Sequence, residues 1–289
     1  MKHNYLNNRD ILKEIHKSKT TYCSFLSKED ADYDLILPSI DKINKKNIMA
    51  GRKARVERLT RAAYDLAQSQ SSEKLRLDDF KVKLSKIEDT DVVFRVMTWE
   101  HIPQDIGKKA KIIDPDVEVV ITEYDDASTT SNKFVKVNFP PFQHFKIDEN
   151  AIPYCVGKSH WQGDLDKGKF NREHGTMTNK LAHMFIKLCE RYATRSNWRG
   201  YTYNDEMRSQ ALLQLSQIGL QFDESKSQNP FAYYTAAITN SFTRVLNIEK
   251  RNQNLRDDIL EMNGLTPSYT RQGMGAWGGN PQSGDYNDD

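Results

Sequence analysis

The stretch QFDESKSQNPFAYYTAAITNSFTRVLNIEKR, residues 221–251, decides the fold class of the C-terminal half of the chain. An acidic turn leads to Pro230, and a helical pattern then runs to Lys250 and Arg251. Asn229 is the predicted N-cap, and Pro230 fits the first helical position because that N–H has no partner within a helix. The stretch therefore predicts a turn followed by a long helix.

The two faces of this predicted helix differ in chemistry. Apolar side chains at spacings of three and four predict a buried stripe: Tyr234, Ile238, Phe242 and Val245. The outward face carries amide, hydroxyl, aromatic and cationic groups: Tyr233, Asn240, Thr243, Arg244, Asn247, Lys250 and Arg251. Such groups can read base edges, stack on an unpaired base and hold phosphates. The residues alone leave two interpretations open, a DNA-reading face or a solvated face with partly buried tyrosines.

A second helix is predicted just upstream, from Asp205 to Phe222. Its apolar stripe consists of Met207, Ala211, Leu215, Ile218 and Phe222. Polar residues outside that stripe, Glu206, Ser209, Gln210 and Gln217, are available to a partner. Helical patterning begins at about Thr178 and persists, with breaks, to Met262.

The N-terminal half mixes helical and strand patterns. Residues 8–19 predict an amphipathic helix, and residues 42–70 predict a basic helix whose charges are either solvated or in contact with nucleic acid. Four segments rich in β-branched and aromatic residues then predict a β-rich unit between Asp91 and Trp161: VVFRVMTW, VEVVITEY, FVKVNF and FQHFKI. The predicted fold class is α+β.

Composition limits the functional classes. Lys and Arg number 42 against 40 Asp and Glu, so DNA binding would need a local patch. Three separated cysteines and the lack of an apolar signal or membrane segment predict a soluble cytoplasmic protein. No nucleophile motif or metal-ligand spacing is evident, so we expect no enzyme, no cofactor and no metal.

The run DEMRSQALLQLSQIGLQFDESKSQNPFAYYTAAITNSFTR, residues 205–244, resembles region 2 of bacterial sigma factors. It is most similar to the late-promoter sigma factors of T-even-type bacteriophages. The resemblance also covers residues 4–15 (NYLNNRDILKEI), a helix at 178–192 and RGYT at 199–202. It leaves out roughly residues 20–175, where many sigma factors carry a variable insert.

The resemblance implies an architecture of four parts. Residues 1–20 would form a helix that packs with the core, and residues 21–175 would form an insert, helical and then β-rich. Residues 176–264 would form a helical region 2-like core, and residues 265–289 a disordered, glycine-rich and acidic tail.

The resemblance also implies partners and residue roles. Glu206, Ser209, Gln210 and Leu212 match positions that grip the clamp helices of the largest subunit of host RNA polymerase core. Tyr233 matches the aromatic that stacks on a flipped adenine of the −10 element of late-promoter DNA, and Asn240 and Thr243 match residues that read its upstream edge. A phage coactivator and a sliding clamp would be further partners, in the cytoplasm of the infected host.

Two departures from the family pattern stand out. Ala236 and Ala237 occupy positions where host housekeeping sigma factors carry two tryptophans, so the strand-opening wedge is absent or supplied elsewhere. Trp277 and Tyr286, near Asp285, Asp288 and Asp289, are a weak substitute for the family's clamp-binding motif.

Two other interpretations remain open. The chain could be a single-strand nucleic-acid-binding protein whose β-rich unit is a small barrel, with Phe94, Trp99, Phe139 and Phe142 as stacking platforms. These aromatics could equally be core residues. The chain could also be a polymerase-binding regulator without promoter readout.

Overall fold

The computed structural model describes residues 7–71, 73–104 and 134–277. The helices are α1 (Asn8–Thr20), α2 (Lys45–Gln70), α3 (Asn179–Ala193), α4 (Asn204–Ile218), α5 (Pro230–Met262) and α6 (Tyr269–Trp277). The strands are β1 (Cys23–Phe25), β2 (Leu35–Leu37), β3 (Phe94–Met97), β4 (Phe142–Ile147), β5 (Pro153–Ser159), β6 (Trp161–Gln162) and β7 (Lys169–Phe170). The predicted α+β class is confirmed.

The chain divides into two compact units, each built from two segments. The first unit comprises Met1–Met184 and Gln217–Tyr233, and the second comprises Phe185–Ser216 and Tyr234–Asp289. The resemblance to sigma factors implied boundaries at residues 20, 175 and 264. In the structure α1 and the sheet belong to the same unit.

A five-stranded sheet forms the centre of the first unit, in the order β1-β5-β4-β3-β2. β2 is parallel to β3, and the other pairs are antiparallel. Residues of α2 and the sheet share one buried cluster: Leu37, Ile48, Val92, Phe94, Val96, Phe145 and Ile147. Gly51 permits this packing, because a Cβ there would lie 2.4 Å from Cγ1 of Val92.

Of the four segments predicted as strands, two contain strands of the sheet. FQHFKI forms β4 and VVFRVMTW contains β3, whereas FVKVNF contributes only an isolated bridge between Phe134 and Gln104. The segment VEVVITEY lies outside the described residues. β1 and β2 precede the predicted β-rich segment and were missed, because strands of three residues are too short to show alternation.

Three helices build the core of the second unit. The predicted stripe of α5, Tyr234, Ile238, Phe242 and Val245, is buried, as are Met207, Ala211 and Leu215 of α4. The ring of Phe242 lies 5.3 Å from the rings of both Tyr192 and Trp198. The predicted second helix was too long, because α4 ends at Ile218 and Phe222 lies in a turn of the first unit.

Both ends of α5 are capped. Asn229 Oδ1 accepts a hydrogen bond from the Ala232 N–H at 3.1 Å, which confirms the predicted N-cap. At the other end Gly264 has a φ of 68°, and the Leu265 N–H donates to the Leu260 carbonyl at 2.8 Å. This left-handed glycine with its backward hydrogen bond ends the helix in a Schellman motif.

The predicted disordered tail is wrong for residues 269–277, which form α6. The Asp257 carboxylate accepts hydrogen bonds from the Ser268 N–H at 2.9 Å and from its hydroxyl at 2.7 Å. Arg271 of α6 pairs with Asp258 at 2.6 Å and with Glu261 at 2.9 Å. These polar contacts order a segment whose composition alone predicted disorder, and residues 278–289 lie outside the described residues.

Candidate nucleic-acid interface

One exposed face of α5 brings together six of the seven predicted DNA-binding residues: Asn240, Thr243, Arg244, Asn247, Lys250 and Arg251. Their spacings place them on one side of the helix, away from the buried stripe. Among the described residues, none of the three cations forms an ion pair. A polar, positively charged strip therefore lies in solvent above an aromatic and aliphatic core.

Tyr233 is less exposed than an outward-facing residue would be. It belongs to the first unit, is half-buried, and packs edge-on against Phe222 with ring centroids 5.6 Å apart. Burial raises the pKa of its phenol. Stacking on a base would therefore require this ring to exchange its contact with Phe222 for a new one.

The other hydroxyl and aromatic residues of the opening stretch are structural. Tyr234 is fully buried, with its ring 4.8 Å from that of Phe185. The Thr239 hydroxyl donates to the Thr235 carbonyl at 2.8 Å and contacts the Tyr192 hydroxyl. The burial of Tyr234 confirms its place in the predicted buried stripe.

The predicted polymerase-binding face of α4 is mostly exposed. Glu206, Ser209 and Gln210 lie in solvent and Leu212 is half-buried. The Ser209 hydroxyl donates to the Asp205 carbonyl at 2.9 Å, so this donor is already engaged within the helix. Glu206 and Gln210, one turn apart, are the more accessible pair.

Leu213 belongs to the same face and was missed by the sequence reasoning. It follows Glu206 by seven residues, which places both on one side of the helix, and it is 53% exposed. A single exposed leucine is common on protein surfaces, so Leu213 adds an apolar group to this face without marking it as an interface. The seven-residue spacing was the available signal, but the burial of the neighbouring positions had to be known first.

The arginines of α2 serve the fold. Arg52 pairs with Asp89 at 3.0 Å, and Arg55 and Arg58 both pair with the buried carboxylate of Asp34, at 3.3 and 2.8 Å. These contacts hold α2 on the loops around the sheet. Three of the cations that could have contacted nucleic acid on this helix are therefore engaged in ion pairs within the chain.

Three of the four aromatic residues that were candidates for stacking on bases in the β-rich unit are not accessible. Phe94, Phe139 and Phe142 are buried, and of the four only Trp99 is exposed, at 42%. The sheet has β1 and β2 at its edges. These phenylalanines are core residues.

A buried polar network lies at the centre of the first unit. The Arg95 guanidinium is inaccessible to solvent and lies 3.9 Å from the centre of the Tyr33 ring and 3.8 Å from that of Phe142. Its Nε donates to His144 Nε2 at 3.0 Å, and its Nη2 lies 3.2 Å from His16 Nδ1. Burial, together with the charge of Arg95, lowers the pKa of both histidines.

Lys19 and Glu224 form a buried ion pair in the same unit. Lys19 Nζ lies 2.6 Å from Glu224 Oε2 and donates to the Phe222 carbonyl, also at 2.6 Å. Burial favours neutral Glu224, but the positive charges of Lys19 and Arg95 outweigh it and lower the pKa of the carboxyl. The pair ties α1 to the turn that precedes α5.

Comparisons with known proteins give no relative: no protein-family model, no curated protein and no solved structure matches this chain. Among the described residues, no three histidine, cysteine, aspartate or glutamate side chains are grouped as a metal site would require. None of the described helices has both the length and the apolar character needed to cross a membrane.

Proposed function

We propose that this chain is a sigma factor that binds the core of a host RNA polymerase and directs it to phage late promoters through a −10-like element. The observation that carries the proposal is the exposed strip on α5, from Asn240 to Arg251. The resemblance of residues 205–244 to sigma region 2 supports the same function.

The order of groups along this strip suits promoter DNA. Base-reading amide and hydroxyl groups, Asn240 and Thr243, come first, and Lys250 and Arg251 follow two to three turns later. The strip is about 17 Å long at 1.5 Å per residue, which equals about five base-pair steps. One end can therefore contact base edges while the other holds phosphates.

Polymerase binding is assigned to the exposed face of α4, through Glu206, Gln210 and Leu213. An apolar side chain at the centre with polar groups around it matches the usual composition of a protein interface. Ala236 and Ala237 leave no bulky wedge on this part of α5. Under this proposal strand opening relies on other groups, with Tyr233 as the candidate that holds an unstacked base.

Changing both Asn240 and Thr243 to alanine is expected to weaken open-complex formation by about 1–3 kcal/mol for each lost base contact. The loss should concentrate at the upstream base pair of the −10-like element, because phosphate contacts carry no base identity. Permanganate footprinting over a set of promoter point variants measures it. Asn252→Ala is the matched control. Asn252 is exposed, but it points about a third of a turn around the helix axis from Asn240.

The double variant also separates this proposal from the regulator without promoter readout. If base preference is unchanged while polymerase binding persists, the regulator is the better description. If the isolated protein binds single-stranded DNA tightly at physiological salt without polymerase, the chain is better described as a single-strand nucleic-acid-binding protein.

Changing Glu206 and Gln210 together to lysine is expected to abolish binding to polymerase core, because two new positive charges would be buried against a surface that accepts a carboxylate. Co-purification with core polymerase measures the loss, and circular dichroism checks that the helices persist. Glu57→Lys with Gln70→Lys, both exposed on α2, makes the same change in charge and should leave binding intact. Core binding by the α4 variant at the level of the unchanged protein would show that another face grips the polymerase.

A further inference from the structure

The second half of α5 exposes an apolar seam consisting of Ile248, Leu255, Ile259 and Met262. Their side chains are 48%, 59%, 51% and 86% exposed. With Asn252 between them, the positions alternate by four and three residues from 248 to 262. This is the heptad spacing of a helix that packs along another helix.

The residues beside the seam are charged and follow a fixed order. Glu249 and Arg256 flank it on one side, and Arg251 and Asp258 flank it on the other. These are the e and g positions, whose charges set partner and orientation in paired helices. The charge pattern can therefore be compared with that of any candidate partner, including a second copy of the same helix.

A second copy in parallel orientation does not fit. In a parallel pair each g position faces the e position five residues later in the partner. Arg251 would then face the partner's Arg256, and the two-fold symmetry would repeat this repulsion. Only Arg244 and the partner's Glu249 would attract.

A second copy in antiparallel orientation fits well. When Asn252 lies beside the partner's Leu255, Ile248 faces the partner's Ile259 along the same seam. Glu249 then faces the partner's Arg256, and Arg251 faces the partner's Asp258, so symmetry gives four attractive pairs. A shift by one heptad in either direction brings Glu249 against Glu249 or Asp258 against Asp258, so charge selects one register.

We propose that the seam on α5 is a self-association surface, on which a second copy of this chain packs antiparallel in the register that pairs Glu249 with Arg256. Asp258 already contacts Arg271 of α6 within the chain, and the partner's Arg251 joins the same carboxylate. The seam is short compared with a standard interface of about 1,600 Å², so the dimer is weak and reversible.

Sedimentation velocity of the full chain from about 1 to 200 µM tests this surface, and the expected result is a concentration-dependent shift from monomer to dimer. Ile259→Glu should leave only monomer, since it places a charge in the apolar seam. Lys250→Glu is the matched control: this exposed residue lies outside the seam and its flanks, and dimerisation should persist. Circular dichroism establishes that each variant keeps its helices.

Arg256→Glu distinguishes the two orientations. In the antiparallel pair it creates two repulsive contacts with Glu249 and should weaken dimerisation about tenfold, whereas in a parallel pair it would remove a repulsion and strengthen it. Adding Glu249→Arg restores opposite charges and should recover the original affinity. Monomer at every concentration, a dimer insensitive to Ile259→Glu, or a dimer strengthened by Arg256→Glu each overturns the proposal.

Discussion

Replacing Lys19 with methionine is expected to lower the free energy of unfolding by about 3–5 kcal/mol, the usual cost of breaking a buried ion pair from one side. Lys19 and Glu224 are 1% and 9% exposed, and their charged atoms lie 2.6 Å apart. Without the ammonium group, the carboxylate stays buried, and its other oxygen, Oε1, has no hydrogen-bond partner either. The Phe222 carbonyl loses a donor as well.

Urea denaturation followed by circular dichroism measures this loss. Lys17→Met is the matched control: Lys17 is 55% exposed and lies 3.7 Å from Glu14, so the change should cost less than about 1 kcal/mol. Adding Glu224→Gln to Lys19→Met should recover part of the loss, because the unpaired charge is then removed. A cost below about 1 kcal/mol for Lys19→Met would show that Glu224 finds solvent or another partner.

Acidification from pH 7 to pH 5 is expected to destabilise the first unit by several kcal/mol. Burial lowers the pKa of His16 and His144, lowers that of His101 to about 4, and lowers that of His160 to about 3. His101, His144 and His160 stay neutral in the folded state over this range, whereas in the unfolded chain imidazoles take up protons near pH 6.5. Each can cost about 1.4 kcal/mol per pH unit below that value.

The direction of the change in stability with pH follows from proton uptake by the unfolded chain. Between the folded and unfolded pKa values the unfolded chain binds more protons, so stability is complete above about pH 6.5 and falls as pH decreases toward 4. Asp32 and Glu224, whose pKa values are lowered in the folded state, extend the loss to still lower pH. The free energy of unfolding from urea titrations at half-unit pH intervals measures the profile.

Single substitutions can show how much each histidine contributes to the dependence of the free energy of unfolding on pH. His101→Gln should flatten it by about 1.4 kcal/mol per pH unit, because glutamine can keep the donor to the Ser159 carbonyl but does not titrate. A free energy that stays level between pH 7 and pH 5 would mean that the buried histidines do not remain neutral in the folded protein.

The sequence predicted those parts of the fold that depend on neighbours along the chain. The N-cap at Asn229 follows from its residue type before Pro230. The buried stripe from Tyr234 to Val245 and the exposed strip from Asn240 to Arg251 follow from the helical repeat. Because one period determines both faces, the candidate interface could be placed before its packing was known. Whether the strip binds DNA is a separate matter, which periodicity does not address.

Contacts between distant segments could not be predicted in this way. The burial of Arg95 between Tyr33 and Phe142 depends on residues that lie far from it in the sequence. The half-burial of Tyr233 depends on Phe222, which lies in a turn where a longer helix was expected. α6 depends on side-chain bonds between Asp257 and Ser268 that composition does not encode.

The ion pair between Lys19 and Glu224 joins residues 205 positions apart. A ribosome synthesises the chain from its N-terminus, so the buried ammonium group of α1 can meet its partner only after 205 further residues have been made. During that interval the ammonium group of Lys19 lacks its carboxylate partner, and the nascent chain is open to aggregation or chaperone capture. The first unit is therefore completed only after residue 224 has left the exit tunnel, and a ribosome that stalls earlier leaves this ion pair unmade.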